Sequence, residues 1–288
     1  MALALAQQIG GVIVNADSAQ IYNDLRTLSA APTDEELRTA EHRLYGVRDG
    51  ALPCSAADWA EMARREIVDV HSSRRIPILV GGTGLYVRTL LEGIAPVPAI
   101  EPQVRARVRD AALDENYAKL KSLDRAAATR LNAADGMRIN RALEVVLSTG
   151  RTIGEWQRQR EGGIGETIAL RPLILLPPRN WLYERCDDRF VQMIEQGAVA
   201  EVEALLARTL NPNLPVMRAI GVPELSAYVL GKISLDQAIA AGQQSTRRYA
   251  KRQYTWFAHQ PPPEWPRFHQ TLDVDSLGEA LALLTAKG

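Results

Sequence analysis

The sequence predicts an α/β protein: a parallel-sheet core, a helical insert within it and a helical C-terminal region. Three observations carry that reading. Two short apolar runs, residues 12–14 and 76–80, stand beside glycine pairs and alternate with helix-patterned segments, the succession that builds parallel sheets. Residues 103–160 show several helical stretches and no strand pattern. Beyond residue 180 the apolar spacing is helical almost to the end.

In order along the chain, residues 2–8 read as a helix that Gly10 and Gly11 stop, and residues 12–14 follow as a buried strand. In residues 58–72 the apolar side chains Trp59, Met62, Ile67 and Val70 are separated by charges, the pattern of an amphipathic helix. Residues 76–80 make a second buried strand, ended by Gly81 and Gly82, and residues 85–91 restart a helix. Pro96, Pro98 and Pro102 mark a linker, and the glycine-rich stretch 162–165 closes the helical insert. Residues 172–178 read as another buried strand. The expected organisation is therefore a core of residues 1–94 and 169–288 with an insert of residues 95–168.

Composition bounds the function. The 288 residues are 46% hydrophobic and 24% charged, with 34 basic and 34 acidic side chains. That balance excludes a disordered chain, a collagen-like fibre and a membrane protein, and no apolar run approaches the roughly 20 residues needed for a membrane span. A net charge of zero confines any nucleic-acid surface to a local patch. Two cysteines, Cys54 and Cys186, cannot make a disulfide framework or a four-ligand zinc site. With an N-terminus that lacks the basic start of a signal peptide, they point to a reducing cytoplasm.

Four segments carry candidate chemistry. Asp17 follows the strand at 12–14, the strand end where ligands bind in open parallel sheets; it can hold a metal, orient a nucleophile, accept a proton or only cap the next turn. The run Gly81-Gly82-Thr83-Gly84 follows the second strand and opens a helix, as a phosphate cradle or a plain tight turn. Residues 237–263 hold Arg247, Arg248, Lys251, Arg252 and His259 without one acidic residue, interleaved with Tyr249, Tyr254, Trp256 and Phe257. Such a surface suits RNA phosphates, and also describes a solvated helix with a packed aromatic face. Arg138, Arg141 and Glu144 share one helix side, as do Arg185 and Arg189; both sets fit phosphate or exposed ion pairs. His42, His71 and His269 have no metal-ligand spacing, and no Ser-His-Asp pattern is visible.

Together these segments resemble the bacterial tRNA dimethylallyltransferases, also called tRNA isopentenyltransferases or IPP transferases. The matches run in order: ADSAQIY at 16–22, PILVGGTGLY at 77–86, EPQVRARV at 101–108, RINRALEV at 138–145, DDRFVQMIEQGAVAEV at 187–202, RAIGVPEL at 218–225 and RRYAKRQYTWF at 247–257. The resemblance implies a P-loop-NTPase-like parallel core whose helical insert grips the anticodon stem-loop. It implies transfer of a dimethylallyl group from dimethylallyl diphosphate to the exocyclic amine of the adenine 3′ of the anticodon, after that base leaves its stack. Mg2+ would assist the departing diphosphate. Carried over by motif, Asp17 would accept the hydrogen of the adenine amine and be a candidate metal ligand. Ser18, Ala19 and Gln20 would line the base pocket. Thr83 and Arg189 would meet the diphosphate. Arg105, Met137, Arg138, Ile139, Asn140 and Arg141 would contact tRNA, with Arg218 to Glu224 and Lys251, Arg252, Gln253 and on to Phe257 adding to the grip. The expected molecule is a cytoplasmic monomer.

The sequence departs from the family pattern. The first strand and the glycine-rich stretch ending in Gly-Lys-Ser/Thr are not in it, and residues 1–6 look like the helix after that loop. The expectation drawn from this is a gene product that starts upstream; a chain starting at Met1 is expected to bind dimethylallyl diphosphate weakly. Ala31 stands where a basic residue usually precedes Pro-Thr, and Val222-Pro223 replaces the usual tyrosine and basic residue after Gly221. Two other activities stay open: a tRNA-binding remnant of weak or no catalysis, and a prenyltransferase of free adenine nucleotides. A small-molecule kinase finds no support in the ordered motifs.

Overall fold

The computed structural model describes residues 1–285. The fold is α/β, with a small parallel sheet and many helices. Helix α1 (Ala2–Ile9) ends where Gly10 turns into the left-handed region at φ 65°, a conformation glycine adopts without steric cost. Strand β1 (Val12–Asn15) follows and is buried along its whole length. Helix α2 (Asp34–Thr39) opens on a capping box formed by Thr33 and Glu36. Strand β2 (His42–Arg43) then pairs parallel with β1, and α3 (Ala56–Ser72) crosses back to β3 (Pro77–Val80). The capping box at the start of α3, Ser55 with Asp58, fixes its first turn, and Trp59, Ala60, Ala63, Ile67 and Val70 are its buried face.

The sheet order is β2-β1-β3, all parallel, with Ile13 opposite both His42 and Ile78, and Asn15 opposite Val80. The expected burial of residues 76–80 is corrected here. Only β1 is flanked on both sides; β3 is an edge of this sheet, its four residues are half-buried and Ile76 is exposed. Strand β2 was not expected, because a histidine and an arginine carry no strand pattern. Helix α4 (Gly84–Glu92) leaves the glycine loop after β3.

The described chain divides into two compact units, one of residues 1–90 with 168–288 and one of residues 91–167. The second is wholly helical: α5 (Pro102–Asp110), α6 (Leu113–Leu123), α7 (Arg125–Arg130), α8 (Gly136–Thr149) and α9 (Ile153–Trp156). Its core gathers Val104, Val108, Leu120, Ala127, Ala128, Ile139, Ala142 and Leu143. The buried Asn116 amide donates to the Val108 carbonyl at 2.6 Å and to Asn140 Oδ1 at 3.1 Å, tying α6 to α5 and α8.

In the first unit, the strand read at 172–178 shrinks to β4 (Ile174–Leu175), with Ile174 buried and Leu175 exposed. It pairs parallel with β5 (Arg267–Phe268) in a separate two-stranded sheet; flanking prolines at 172, 177 and 178 keep the ladder short. Between them run α10 (Arg179–Glu195), α11 (Ala198–Ala207), a 3-10 turn at Val216–Arg218, α12 (Val222–Val229) and the 25-residue α13 (Leu235–His259); α14 (Val274–Thr285) follows. Helices α10 and α13 lie close because Gly242 has no Cβ to meet the Phe190 ring. One Arg247 nitrogen holds both Asp187 carboxylate oxygens, at 2.5 and 2.6 Å. No helix among the described residues is long and apolar enough to cross a membrane.

Candidate active site

The site begins at the carboxyl end of β1. Asn15 is fully buried and all its polar atoms are used: Oδ1 accepts from the Asp17 amide at 2.7 Å, and Nδ2 donates to the carbonyls of Leu44 at 2.9 Å and Asp17 at 3.0 Å. The Trp59 indole donates to the Asn15 carbonyl at 2.9 Å. This clamp fixes the chain on both sides of Asp17. The Asp17 Oδ1 accepts from the amides of Ala19 at 2.8 Å and, at a longer 3.4 Å, Gln20, an Asx turn. Its Oδ2 makes no hydrogen bond among the described residues, so one carboxylate oxygen is available.

The glycine loop after β3 is laced to this turn. Thr83 Oγ1 accepts from the Ser18 amide at 3.0 Å and lies 3.2 Å from Ser18 Oγ, while the Thr83 amide donates to the Ala16 carbonyl at 3.2 Å. A Cβ at Gly81 would collide with the Ala16 backbone, one at Gly82 with the Gln253 amide, and one at Gly84 would stand 2.5 Å from the Trp256 ring. Gly81 and Gly84 are therefore required by the close approach of the β1 backbone and the Trp256 ring, while a side chain at Gly82 would displace the Gln253 amide. That finding leaves the phosphate-cradle reading of the loop as one of two open roles.

Tyr249, Gln253 and Trp256 sit at i, i+4 and i+7 of α13, one helix face. Gln253 donates to the Gly82 carbonyl at 2.9 Å. Burial pushes the Tyr249 phenol up, the negative charge of Asp17 adds to the shift, and hydrogen bonds with Thr83 and Gln253 oppose it. Burial likewise raises Tyr45 to about 12, with Asp17 and Glu36 contributing, and raises Tyr86, with Cys54, Tyr22 and Asp17 contributing. The charge of Asp17 thus adds to the upward shift of three buried phenols. Tyr86 is itself stacked on Trp59, ring centroids 4.7 Å apart.

The predicted site residues separate into groups. Asp17, Ser18, Ala19, Gln20, Thr83 and Gln253 come together. Gln20 also braces the next loop, donating to the Ser29 and Ala30 carbonyls at 3.0 and 2.8 Å, and Glu201 closes that loop by accepting from the Thr27 and Leu28 amides at 2.8 Å each. Arg189 is exposed on α10, and Arg218 is exposed and bonded to Asn213; no hydrogen bond or ion pair joins either to Asp17. On α13, Arg248, Lys251, Arg252 and His259 are exposed, and the Arg252 guanidinium lies 5.5 Å from the centre of the Tyr249 ring.

In the helical unit, Arg105, Arg138 and Arg141 are exposed and Met137 is 82% exposed. Ile139 is corrected: it is fully buried in the helical core, so it supports α8 and cannot reach RNA. Asn140 has its Oδ1 occupied by Asn116. Asn15 and Tyr45 were given no role in the sequence; Tyr249 was named there among the interleaved aromatics of residues 237–263, without a place beside Asp17.

The described residues contain no group of three or more His, Cys, Asp or Glu side chains able to hold a metal. One free Asp17 oxygen beside the Ser18 and Thr83 hydroxyls is an all-oxygen donor set. Such a set suits a hard divalent cation whose shell is completed by water and substrate phosphates.

The IPP transferase family model matches residues 20–260. The chain is 61% identical over 265 residues to the tRNA dimethylallyltransferase of Novosphingobium aromaticivorans, covering 92% of this chain and 94% of that protein. Its fold is similar to the crystal structure of the tRNA isopentenylpyrophosphate transferase of Bacillus halodurans, with a TM-score of 0.69 and 28% identity over 97% of this chain and 88% of that one. A eukaryotic dimethylallyltransferase acting on tRNA is similar with a TM-score of 0.74 and 26% identity, over 88% of this chain and 65% of that one. Given the ordered motifs, the fold and a family match spanning most of its length, this chain belongs to the IPP transferase family.

Proposed function

We propose that this protein is a tRNA dimethylallyltransferase, moving a dimethylallyl group from dimethylallyl diphosphate to N6 of the adenine 3′ of the anticodon. The observation that carries the chemistry is the single unengaged oxygen of Asp17, fixed by the Asn15 clamp beside the Thr83 hydroxyl. In the transfer, the allylic C1–O bond breaks, an N6–C1 bond forms, and diphosphate leaves. An aromatic amine is a weak nucleophile, so Asp17 Oδ2 accepts the N6 hydrogen as the new bond develops. Thr83 donates a hydrogen bond to the diphosphate, and Arg189 supplies positive charge where the leaving group becomes more negative. A magnesium ion, when bound, would be held by the Ser18 and Thr83 hydroxyls and the diphosphate and would supply positive charge to the leaving group, leaving Asp17 Oδ2 to the amine.

The base pocket is lined by Ser18, Ala19 and Gln20. Arg105, Met137, Arg138, Asn140 and Arg141 of the insert, with Arg218, Lys251 and Arg252, hold the anticodon stem-loop. The exposed arginines of the helical unit favour tRNA over a free nucleotide, whose few phosphates would use only a small part of them. The protein acts as a monomer in the cytoplasm, where its substrate is made.

Offering the stem-loop and AMP together tests the substrate: prenylated RNA with unmodified AMP is expected, and prenylated AMP would overturn the reading. Asp17→Asn is expected to lower single-turnover transfer by about 10²- to 10⁴-fold with stem-loop affinity within about twofold. Omitting Mg2+ is expected to slow transfer without abolishing RNA binding.

A further inference from the structure

Glu144 lies in α8 of the helical unit with its side chain only 3% exposed. A buried carboxylate is costly unless paired and hydrogen-bonded. Its pairing comes from α5: Arg109 Nε donates to Oε1 at 3.1 Å, and Arg105 Nε lies 4.0 Å from Oε2. Both guanidiniums stay open to solvent, Arg109 at 62% and Arg105 at 46% side-chain exposure. Arg141, one turn before Glu144, completes the set. Desolvation lowers its affinity for its proton, attraction to Glu144 opposes this, and the like charge of Arg105 adds to it. Two guanidiniums of α5 thus converge on one buried anion, with Arg141 three residues before it on α8.

Arginines would spread apart without a reason to gather. The buried carboxylate supplies that reason, engaging each α5 arginine through its Nε side and leaving terminal nitrogens free. Those nitrogens are the donors that meet a phosphate in a forked geometry. We propose that Glu144 is a positioning residue that holds Arg105 and Arg109, on the face that Arg141 shares, as one receptor for the sugar-phosphate backbone of the RNA substrate. Arg109 becomes an RNA contact that the family motifs do not assign. The proposal rests on the tRNA reading above and locates part of its grip.

The sign of one mutation separates positioning from bulk charge. Glu144→Gln removes a negative charge from a basic face, so charge counting alone predicts tighter RNA binding. Loss of the common anchor predicts weaker binding, by about tenfold, with a salt slope shallower by about one phosphate contact. A second variant, Arg109→Lys, changes a solvent-exposed group and keeps the charge while removing the fork. It is expected to weaken binding about threefold to tenfold with an unchanged melting temperature. The measurement is equilibrium binding of the full chain to an anticodon stem-loop across a salt series, with thermal unfolding of each variant. Weaker binding by both, or by Arg109→Lys alone if Glu144→Gln does not fold, supports the proposal. Binding as tight as, or tighter than, the parent in the folded variants overturns it and leaves the tRNA reading intact. No binding of the stem-loop by the unsubstituted protein overturns both.

Discussion

Asp17 spends one carboxylate oxygen on its own turn and keeps the other free, and Asn15 is what makes this arrangement rigid. Because every polar atom of the Asn15 amide is paired inside the core, Asn15→Ala is expected to cost about 1–3 kcal/mol of stability through orphaned partners, seen as a lower midpoint in urea unfolding. It is also expected to slow transfer with little change in RNA affinity, since the carboxylate loses its aim. The phenols around Asp17 give a second handle. Tyr45 titrates near 12 in the folded chain against about 10 when unfolded. Its folded form therefore binds the proton more tightly, and its contribution is fully present below pH 10 and lost as pH rises to 12. Stability measured from pH 9 to 12 should fall across that window, and Tyr45→Phe should flatten the fall. The place of Asp17, directly after a buried strand, was legible in the sequence; its division into one engaged and one unengaged oxygen was not. Asn15 and Tyr45 were not given roles: the first is one polar residue at the end of an apolar run, and the second gains its meaning from the burial, and then the charges, that folding brings to it.

The elements follow the same division. Strands β1 and β3 and helices α1, α3 and α4 were visible because glycine pairs punctuate them and apolar spacing fills them. Strands β2 and β5 have two residues each, and their identity comes from partners across the ladder. The burial of β3 was overestimated because an apolar run reads the same at a sheet edge as at its centre. Helix α13 serves several partners from one pattern: Tyr249, Gln253 and Trp256 lie at the glycine loop, while Arg248, Lys251, Arg252 and His259 are exposed. Where it meets α10, Gly242→Ala would press a methyl group into the Phe190 ring, and overpacking of this kind costs about 1–3 kcal/mol. A lower melting temperature is expected, restored in part by Phe190→Leu, which vacates the space.

At the scale of the whole molecule, the described chain divides into two compact units. The helical unit packs its own set of apolar side chains, so a fragment of residues 91–167 is expected to fold alone. A single cooperative thermal transition with helical circular dichroism would check this, and a spectrum without fixed structure would refute it. Its boundaries were approachable from the prolines and glycines that flank it, and its helices from their apolar spacing. The interior pairing of Glu144 was not, since that depends on α5 and α8 meeting. The same unit has one more property, found where the chain enters and leaves it. Ile94 and Glu161 exchange backbone hydrogen bonds at 3.0 and 3.1 Å, and the Gly165 amide donates to the Leu91 carbonyl at 3.0 Å. Gly93 and Gly163 admit this approach by lacking side chains. The insert is thus a cassette whose two ends are clasped together by a short antiparallel join of its own, so that a change in the length of either end strains the same few bonds.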